Sequence, residues 1–470
     1  MEATIKRAAQ VLPSKRQVEW NCMEFYGFVH FGLYTFGPDE EGEMGAESFN
    51  PVKFNPLQWV RAFKAAGMRG LLLTCKHHEG FCLWPSAYTE FSVKNSPWKD
   101  GKGDIVREVA DACREEGLKF GVYLSPWDMH EKTYGTPDYD VYFRNQLTEL
   151  CGNYGELFCV WFDGACRSKD KVQDYDWESY YEIIRRLQPS ACISICGPDV
   201  RWIGNEAGIS REEEWSVVPK EIMTTERNPG YWRAIDTVPN STWTDIGSRA
   251  FIRDYEELIW YPAEVDVSIR PSWGYREGEE EHLHSLETLL HMYEKAVGGN
   301  ANLLLNVPPN PEGLFDEEDV ERLAELGEAI RRMFSKSCIT GARAQDSEGR
   351  DAGALLNGDR EQYYESRTEE PFAVEITLDG ETEFNLVAIK ETIERGQKVE
   401  AFSLEAFGEG GWREIYRAST IGYQRICRFE KVRTEKLRLN ILKARGRVSL
   451  TEVGIYLDAK ETALQMMMSE

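Results

Sequence analysis

Short apolar runs alternate with amphipathic segments from Phe25 to about Phe334, and this alternation restricts the fold more than any other feature. The runs are almost uninterruptedly apolar, as expected for parallel strands that are covered by helices. No G-x-G-x-x-G motif follows the first run, so a single (β/α) barrel is favoured over a doubly wound sheet. We predict strands at Phe25–Leu33, Gly70–Cys75, Lys119–Leu124, Leu157–Phe162, Cys192–Cys196 and Val265–Ile269, and helices at Pro56–Ala66, Ile105–Glu116, Val141–Tyr154 and Trp177–Leu187.

The pattern changes after a helix rich in Glu and Arg, which we predict at Asp316–Met333. From about Ser337 to Leu457 the runs are short and alternating, such as FAVEITL and LRLNIL, and Gly, Asp and Glu clusters separate them. This spacing is typical of a β-sandwich. We therefore expect an α/β protein with a TIM-like (β/α)-barrel domain at residues 1–336 and an all-β sandwich at 337–470, whose end after Leu457 is frayed or a short helix.

Charge and cysteine usage restrict the partners and the compartment. The chain has 80 Asp and Glu against 55 Lys and Arg, a formal charge of −25. Nucleic acids and anionic lipid surfaces require a clustered basic face, so we expect neither as a partner. Eleven cysteines lack C-x-x-C spacing and several lie in apolar runs. With no secretory or transmembrane stretch in this sequence, we expect reduced thiols and a cytoplasmic protein, unless a signal peptide has been removed.

Polar and aromatic residues gather at the predicted strand ends, where catalytic side chains of a (β/α) barrel lie. In strand order they are His30; His77, His78 and Trp84; Tyr123 and Trp127; Asp163; Asp199, Trp202 and Glu206; and Trp273 and Tyr275. Each histidine alone could be a hydrogen-bonded core residue. Three of the seven histidines at consecutive strand ends, together with aromatic residues, favour a binding pocket.

Two carboxylates are needed if this pocket hydrolyses a glycoside. Asp163 directly follows a buried strand and is the candidate nucleophile, although an Asp there can also cap or close a turn. For the second carboxylate the sequence offers Asp199, Glu206 and the run Glu212 to Glu214. We prefer Glu206 because Trp202 and Gly208 indicate an apolar setting, which would raise its pKa as an acid catalyst requires.

Other chemistries lack their sequence signals. His77 and His78 would point in opposite directions if they continued a strand, and no H-x-x-x-H spacing exists, so we expect no metal ion. Gly-rich nucleotide loops and a G-x-S-x-G elbow are also missing, so we expect no cofactor. Sugar binding fits what is present, because aromatic rings offer apolar faces and His, Asp and Glu reach hydroxyl groups.

The motifs FVHFGLYTF, AESFNP, LLLTCKHHEGFCLWPS, GVYLSPWD, VWFDGA and GGNANLLLNVPPN together resemble the α-L-fucosidases of glycoside hydrolase family 29. The resemblance covers nearly the whole chain. The stretch GPDVRWIGNEAG is similar to the branch of that family that prefers α-1,3- and α-1,4-linked fucose on branched glycans. The C-terminal region resembles the galactose-binding or discoidin-type domains that are fused to glycosidases, either to bind glycans or to cover the barrel.

The resemblance implies a retaining hydrolase that removes terminal α-L-fucose through a covalent fucosyl-enzyme intermediate. Asp163 matches the nucleophile and Glu206 the acid/base of that branch. The implied substrate-binding residues are His30, Glu47, His77, His78, Trp84, Tyr123, Trp202 and Trp273. Three alternatives stay open: a broad-specificity fucosidase acting on simple fucosides, an exo-glycosidase for another sugar, and a noncatalytic fucose-binding barrel.

Overall fold

The computed structural model describes residues 2–37, 44–166, 171–227, 237–369 and 371–458. Up to residue 306 the strands are β1 Phe25–Val29, β2 Gly70–Lys76, β3 Lys119–Leu124, β4 Cys159–Phe162, β5 Cys192–Ile195, β6 Arg201–Trp202, β7 Val217–Pro219, β8 Leu258–Trp260, β9 Ala263–Ser268 and β10 Ala301–Asn306. Eight of them form a parallel sheet with the order β5-β4-β3-β2-β1-β10-β9-β6. A parallel bridge between Ser194 of β5 and Val200, the residue before β6, closes the circle. The predicted (β/α) barrel is confirmed.

Helices cover the outside of the barrel, and their ends follow local sequence signals. They are α1 Glu2–Ala8, α2 Lys15–Asn21, α3 Pro56–Ala65, α4 Ile105–Glu116, α5 Pro137–Asn153, α6 Trp177–Leu187, α7 Lys220–Glu226, α8 Arg249–Ile252, α9 Leu286–Ala296 and α10 Glu317–Met333. In α4 the side chain of Asp104 accepts a hydrogen bond from the Arg107 N–H, and Gly117 ends the helix at φ 77°. A left-handed residue at this position favours glycine.

The structure shifts several predicted boundaries. Strand β1 ends four residues before the predicted Leu33, because a short 3-10 helix occupies Leu33–Phe36. Helix α5 begins at Pro137, four residues before the predicted Val141, since proline at the first helical position fits the helix geometry. Among the elements up to residue 333, the sequence did not predict strands β6, β7, β8 and β10 or helices α1, α2, α7, α8 and α9. The two residues of β6 are too few for a periodicity signal.

The second domain is antiparallel. Its strands are β11 Arg343–Asp346, β12 Tyr364–Glu365, β13 Phe372–Glu391, β14 Val399–Gly408, β15 Gly411–Ala418, β16 Arg425–Ala444 and β17 Ser449–Tyr456. They pair in the order β12-β17-β13-β16-β14-β15, and β11 pairs with β13. The predicted separate all-β domain is confirmed. The predicted boundary at residue 336 lies between α10 and β11, and the predicted tail from 459 onward lies outside the described residues.

The β domain packs against the N-terminal ends of the barrel strands. Glu24, which precedes β1, accepts a hydrogen bond of 2.9 Å from the Tyr423 hydroxyl. Asn300, which precedes β10, accepts the Tyr423 N–H at 2.7 Å and donates to the Glu214 carbonyl at 3.0 Å. The guanidinium of Arg445 stacks over the ring of Trp215. These contacts leave the opposite, C-terminal face of the barrel to other functions.

In the described ranges, no helix is both long and apolar enough to cross a lipid bilayer.

A buried polar group lies inside the barrel at the level of β9. Glu264 is fully buried and accepts hydrogen bonds from the Tyr26 hydroxyl and, at 2.7 Å, from the Trp161 Nε1–H. Burial, together with the negative charge of Asp266 nearby, raises the pKa of Glu264 well above its ordinary value. The folded protein therefore holds this carboxyl in its protonated form.

We predict a pH-dependent stability difference between the wild type and the Glu264→Gln variant. The folded protein keeps the Glu264 proton, whereas the unfolded chain loses it above an ordinary pKa of about 4.3. The free energy of unfolding of the wild type, relative to the variant, should fall as the pH rises from 5 to 8, with a limiting slope of about 1.4 kcal/mol per pH unit. Urea unfolding at several pH values measures this.

The matched control is Glu435→Gln, which replaces an exposed carboxylate. The difference in the free energy of unfolding between Glu435→Gln and the wild type should not change over the same pH range. A constant difference for Glu264→Gln would contradict the assignment of a buried, protonated carboxyl.

Candidate active site

The predicted strand-end residues converge at the C-terminal face of the barrel. His30 follows β1, His77 and His78 follow β2, and Asp163 follows β4. The rings of His30 and His77 have centroids 5.6 Å apart, and Trp273 lies 5.1 Å from His30. Parallel strands bring these side chains together because their carboxyl ends share one rim.

Asp163 lies at the edge of this group and is held by both of its oxygens. Its Oδ2 accepts the Tyr123 hydroxyl at 2.9 Å and lies 3.6 Å from Nε2 of His78. Its Oδ1 accepts the Ala165 N–H at 2.7 Å, which closes a turn. The turn that the sequence allowed for Asp163 is therefore present, and its role as a nucleophile stays a prediction. Burial raises the pKa of Tyr123 well above its usual value, and the nearby Asp163 charge raises it further, so the hydroxyl stays a donor.

The tautomer of His30 follows from its neighbour Asn306. The Asn306 Nδ2 donates to the Trp273 carbonyl at 2.8 Å, so Oδ1 is the side of the amide that faces His30 Nδ1 at 2.8 Å. Nδ1 therefore carries the proton. Burial lowers the pKa of His30 well below its ordinary value, and the electrostatic effect of the neighbouring His77 lowers it further. A neutral ring with Nδ1–H leaves Nε2 as a hydrogen-bond acceptor.

His77 and His78 lie side by side, which corrects the expectation that they point in opposite directions. Strand β2 ends at Lys76, so neither histidine continues it. Their ring centroids are 4.1 Å apart, and one ligand atom each of His77, His78 and Asp163 lies within 4.8 Å of the others. Such a group could hold a cation or the hydroxyls of a sugar. The Ser125 hydroxyl donates to the Trp127 carbonyl at 2.6 Å. Its oxygen therefore accepts a hydrogen bond from the Nδ1–H of His78, at an N–O distance of 2.7 Å.

Glu206 is fixed by an aromatic residue from another loop. Its Oε2 accepts the Nε1–H of Trp273 at 3.1 Å, and the side chain is exposed. The expected apolar setting was wrong, because the loop after β6 carries Glu206 to the rim and not into the interior. Asn205 shapes this loop by accepting the N–H groups of Ala207 and Ile209.

Asp266 is a third carboxyl of the site that the sequence did not reveal. It lies on β9, is buried, and accepts the Nε1–H of Trp202 at 2.8 Å. Burial raises its pKa well above the ordinary value, and the charges of Glu206 and then Asp163 raise it further. Glu206 and Asp163 therefore both lie close enough to Asp266 for their negative charges to raise its pKa. The sequence feature that could have indicated Asp266 is the run AEVDVS, which places Glu264 and Asp266 on the same side of a strand.

Comparisons with known proteins assign this arrangement to a family. The model of the family described as Alpha-L-fucosidase matches residues 9–333. The chain belongs to the α-L-fucosidase family. It is 37% identical over 462 residues to "Alpha-L-fucosidase 1" of Arabidopsis thaliana, covering 95% of this chain and 88% of that protein. As a member of this family, the chain is a glycoside hydrolase.

Solved structures of α-L-fucosidase relatives superpose over most of the chain. A glycoside hydrolase 29 family member from an unknown rumen bacterium is 38% identical with a TM-score of 0.82, covering 97% of this chain and 78% of that one. A Ruminococcus gnavus GH29 fucosidase in complex with fucose is 29% identical with a TM-score of 0.84, covering 96% of each chain. The likeness therefore includes both domains.

The structure places two of the residues predicted to bind sugar outside this group. Trp84 is buried among the helices and donates its Nε1–H to Glu149 on α5 at 2.8 Å. Glu47 is exposed in the short helix Ala46–Ser48, and its carboxylate turns back toward Gly45. In the described ranges, no hydrogen bond or ion pair links either residue to the histidines. Trp84 lies outside the pocket because the chain has moved away from the end of β2 by the time it reaches this residue, although a tryptophan would suit a sugar-binding wall.

The remaining candidates divide between the rim and the protein interior. Trp202 and Trp273 pack against the interior aromatic cluster of the barrel. Asp199, an alternative acid in the sequence, accepts hydrogen bonds from Arg16 and Arg185 and is a structural ion-pair residue. Trp127 also reaches the site and lies 4.8 Å from the ring of His78.

A buried ion pair holds the histidine loop of this α-L-fucosidase. Lys76 Nζ lies 2.7 Å from Asp128 Oδ2, and both side chains are excluded from solvent. The Met129 N–H also donates to the His78 carbonyl at 2.8 Å. The loop after β2 is thereby tied to the loop after β3.

We predict that Lys76→Met strongly destabilises the protein. The change leaves the Asp128 charge buried without a partner, which costs about 3–5 kcal/mol. Chemical unfolding followed by circular dichroism measures the loss. Adding Asp128→Asn should recover part of it, because the amide keeps the acceptor for the His130 and Glu131 N–H groups.

The control is Lys53→Met, which breaks the exposed ion pair with Glu312. Exposed pairs contribute about 0–1 kcal/mol. Equal small losses for Lys53→Met and Lys76→Met would show that the buried pair does not hold the loop.

Proposed function

We propose that this α-L-fucosidase releases terminal α-1,3- or α-1,4-linked L-fucose from oligosaccharides by double displacement. The carbohydrate carbon C1 is attacked by the Asp163 carboxylate while Glu206 protonates the departing glycosidic oxygen. Glu206, now a carboxylate, then takes a proton from water, which attacks C1 and frees Asp163. The observation that carries the proposal is the fixed Asp163 carboxylate, held by Tyr123 beside three histidines and facing the rim that carries Glu206.

Asp163 and Glu206 have environments that suit different tasks. Asp163 accepts hydrogen bonds from Tyr123 and Ala165, which fix its carboxylate in position for attack on C1. Glu206 lies at the exposed rim, where the leaving sugar and the incoming water must pass. Its contact with the Trp273 indole fixes the carboxyl without enclosing it.

Each sugar-facing residue has a defined role in this proposal. Nε2 of His30 accepts a hydrogen bond from one sugar hydroxyl, while His77 and His78 reach the hydroxyls closer to Asp163. Trp273 lies 6.3 Å from the ring of Phe28 and with it offers an apolar wall to the C5 methyl of a 6-deoxy sugar. A sugar with a hydroxymethyl group would have to bury a polar oxygen there.

Space beside Glu206 supports a branched aglycone. A cleft of about 490 Å³ is lined by residues 203–205, which precede Glu206, and by residues 209–213, which follow it. Its other wall is formed by residues 242–245. The lining combines apolar groups such as Trp243 with polar groups such as Arg211, which suits a disaccharide leaving group, whereas a simple aryl group would leave most of the cleft unused. This cleft supports the α-1,3/1,4 linkage preference over broad specificity.

We also propose a cytoplasmic location, with imported oligosaccharides as substrates. All eleven cysteines are free thiols, and most are buried. A reducing compartment keeps such thiols free. Fractionation of producing cells tests this, and recovery of the enzyme outside the cytoplasm would contradict it.

We predict that Asp163→Gly abolishes turnover and that Glu206→Gln slows it selectively. Loss of the acid should cost about 10²–10⁴-fold on a natural oligosaccharide. It should cost much less on a nitrophenyl fucoside, because that leaving group needs no proton. Azide should yield β-fucosyl azide with Asp163→Gly and α-fucosyl azide with Glu206→Gln, as resolved by NMR of the products.

The control is Glu435→Gln, an exposed residue of the β domain that should keep the wild-type rate. Full activity of Asp163→Gly, or an equal loss for Glu435→Gln and Glu206→Gln, would overturn the assignment of the two catalytic carboxylates.

We predict that a branched α-1,3/1,4-fucosylated trisaccharide is cleaved with a higher kcat/KM than an aryl α-L-fucoside. The second and third sugars gain contacts in the cleft beside Glu206, which the aryl group cannot make. Release of L-fucose from both substrates is measured under identical conditions. Equal values would keep the fucosidase and refute the linkage preference, and binding of L-fucose without release from either substrate would favour a noncatalytic role.

A further inference from the structure

Glu79 places a buried carboxylate directly behind the histidine group. It follows His77 and His78 in the loop after β2 and exposes only 9% of its surface. Neither of its oxygens accepts a hydrogen bond from any described residue. A buried acceptor without a hydrogen bond is unfavourable, and more so when it is charged. A positively charged group facing the carboxylate would offset this cost.

The ring of His77 is the group in position to supply that charge. Its Nδ1 lies 3.5 Å from Oε2 of Glu79, and both side chains are buried. Tyr123 lies parallel to the ring at 5.7 Å, and Tyr34 is tilted against it at 5.0 Å. These neighbours restrict rotation of the imidazole, so the Nδ1 edge is held toward Glu79.

The other two histidines of the site are held in the same way but by neutral groups. Asn306 faces Nδ1 of His30 and Ser125 faces Nδ1 of His78. Only His77 has a carboxylate at this position. The titratable groups that face His77 from its own loop and from the neighbouring elements are His30, Tyr34, His78, Glu79, Tyr123 and Asp163.

We propose that Glu79 is a positioning residue that fixes His77 as a positively charged ring with Nδ1–H toward its carboxylate, so that Nε2–H points to a hydroxyl of the bound sugar. The inference rests on the sugar-binding role proposed for His77. It assigns complementary functions to neighbouring rings, because neutral His30 accepts a hydrogen bond where charged His77 donates one. A carboxylate that orients a histidine through Nδ1 is a general device of enzyme sites.

The first test is a double-mutant cycle with an aryl α-L-fucoside. Glu79→Gln is isosteric and should lower kcat/KM about tenfold to a hundredfold, the usual cost of removing a group that orients a histidine of a site. In a His77→Ala background the same change should cost less than about twofold, because the ring that Glu79 positions is gone. Independent, additive losses would overturn the proposal.

The matched control is Glu149→Gln, which also removes a carboxylate bonded to the loop after β2, at Trp84 and Ser86. It should keep kcat/KM within about twofold of the wild type even if it lowers the stability. A loss equal to that of Glu79→Gln would show that general loop order, not the orientation of His77, controls the rate.

The second test does not depend on activity. Proteins labelled with ¹⁵N-histidine are compared at pH 7.5, and the His77 signals are identified by their absence in His77→Ala. Both His77 nitrogens should be protonated in the wild type, and one proton should be lost in Glu79→Gln. A neutral His77 in the wild type, or no change in the variant, overturns the role of Glu79. Full activity of His77→Ala would refute only the sugar-binding role of His77. The positioning role of Glu79 would still be decided by the NMR result.

Discussion

Closure of the barrel between β5 and β6 is the constraint on which the site depends. The Ile195 N–H donates to the Val200 carbonyl at 2.9 Å, and the Tyr261 hydroxyl donates to the Ile195 carbonyl at 3.1 Å. Ile195 has φ 68°, which is costly for a β-branched residue. This turn lets the chain return within a few residues as β6. Without it, the loop that carries Glu206 would not reach the rim opposite Asp163.

The positions of the side chains at the strand ends could be predicted, because each follows directly from the apolar run before it. His30, His77, His78 and Asp163 all lie within two residues of a buried strand, so the register of the barrel fixes them. Trp84 lies eight residues beyond the end of β2, and that length allows the chain to turn outward. Sequence alone does not distinguish a tryptophan that faces a sugar from one that packs under a helix.

The groups that orient these side chains could not be predicted. Asn306, Ser125 and Asp266 act through partners on other strands, and β10, which carries Asn306, was itself missed. Their role depends on which strands are neighbours, and a single sequence does not contain that information. The exposure of Glu206 was missed for a related reason, since an apolar neighbour in sequence is not a neighbour in space. The carboxylates of this site are therefore tuned by interactions between strands.

The two ends of the barrel have separate tasks. The β domain is attached at the strand starts through Glu24, Asn300 and Tyr423, whereas the chemistry occurs at the strand ends. Substitutions in the loops after β1, β2 and β4 can thus accumulate without disturbing the junction between the domains. The loop after β6 is different, because the Glu212 carbonyl accepts a hydrogen bond from Arg425 of the β domain at 3.0 Å, so changes near Glu206 are also felt at the junction.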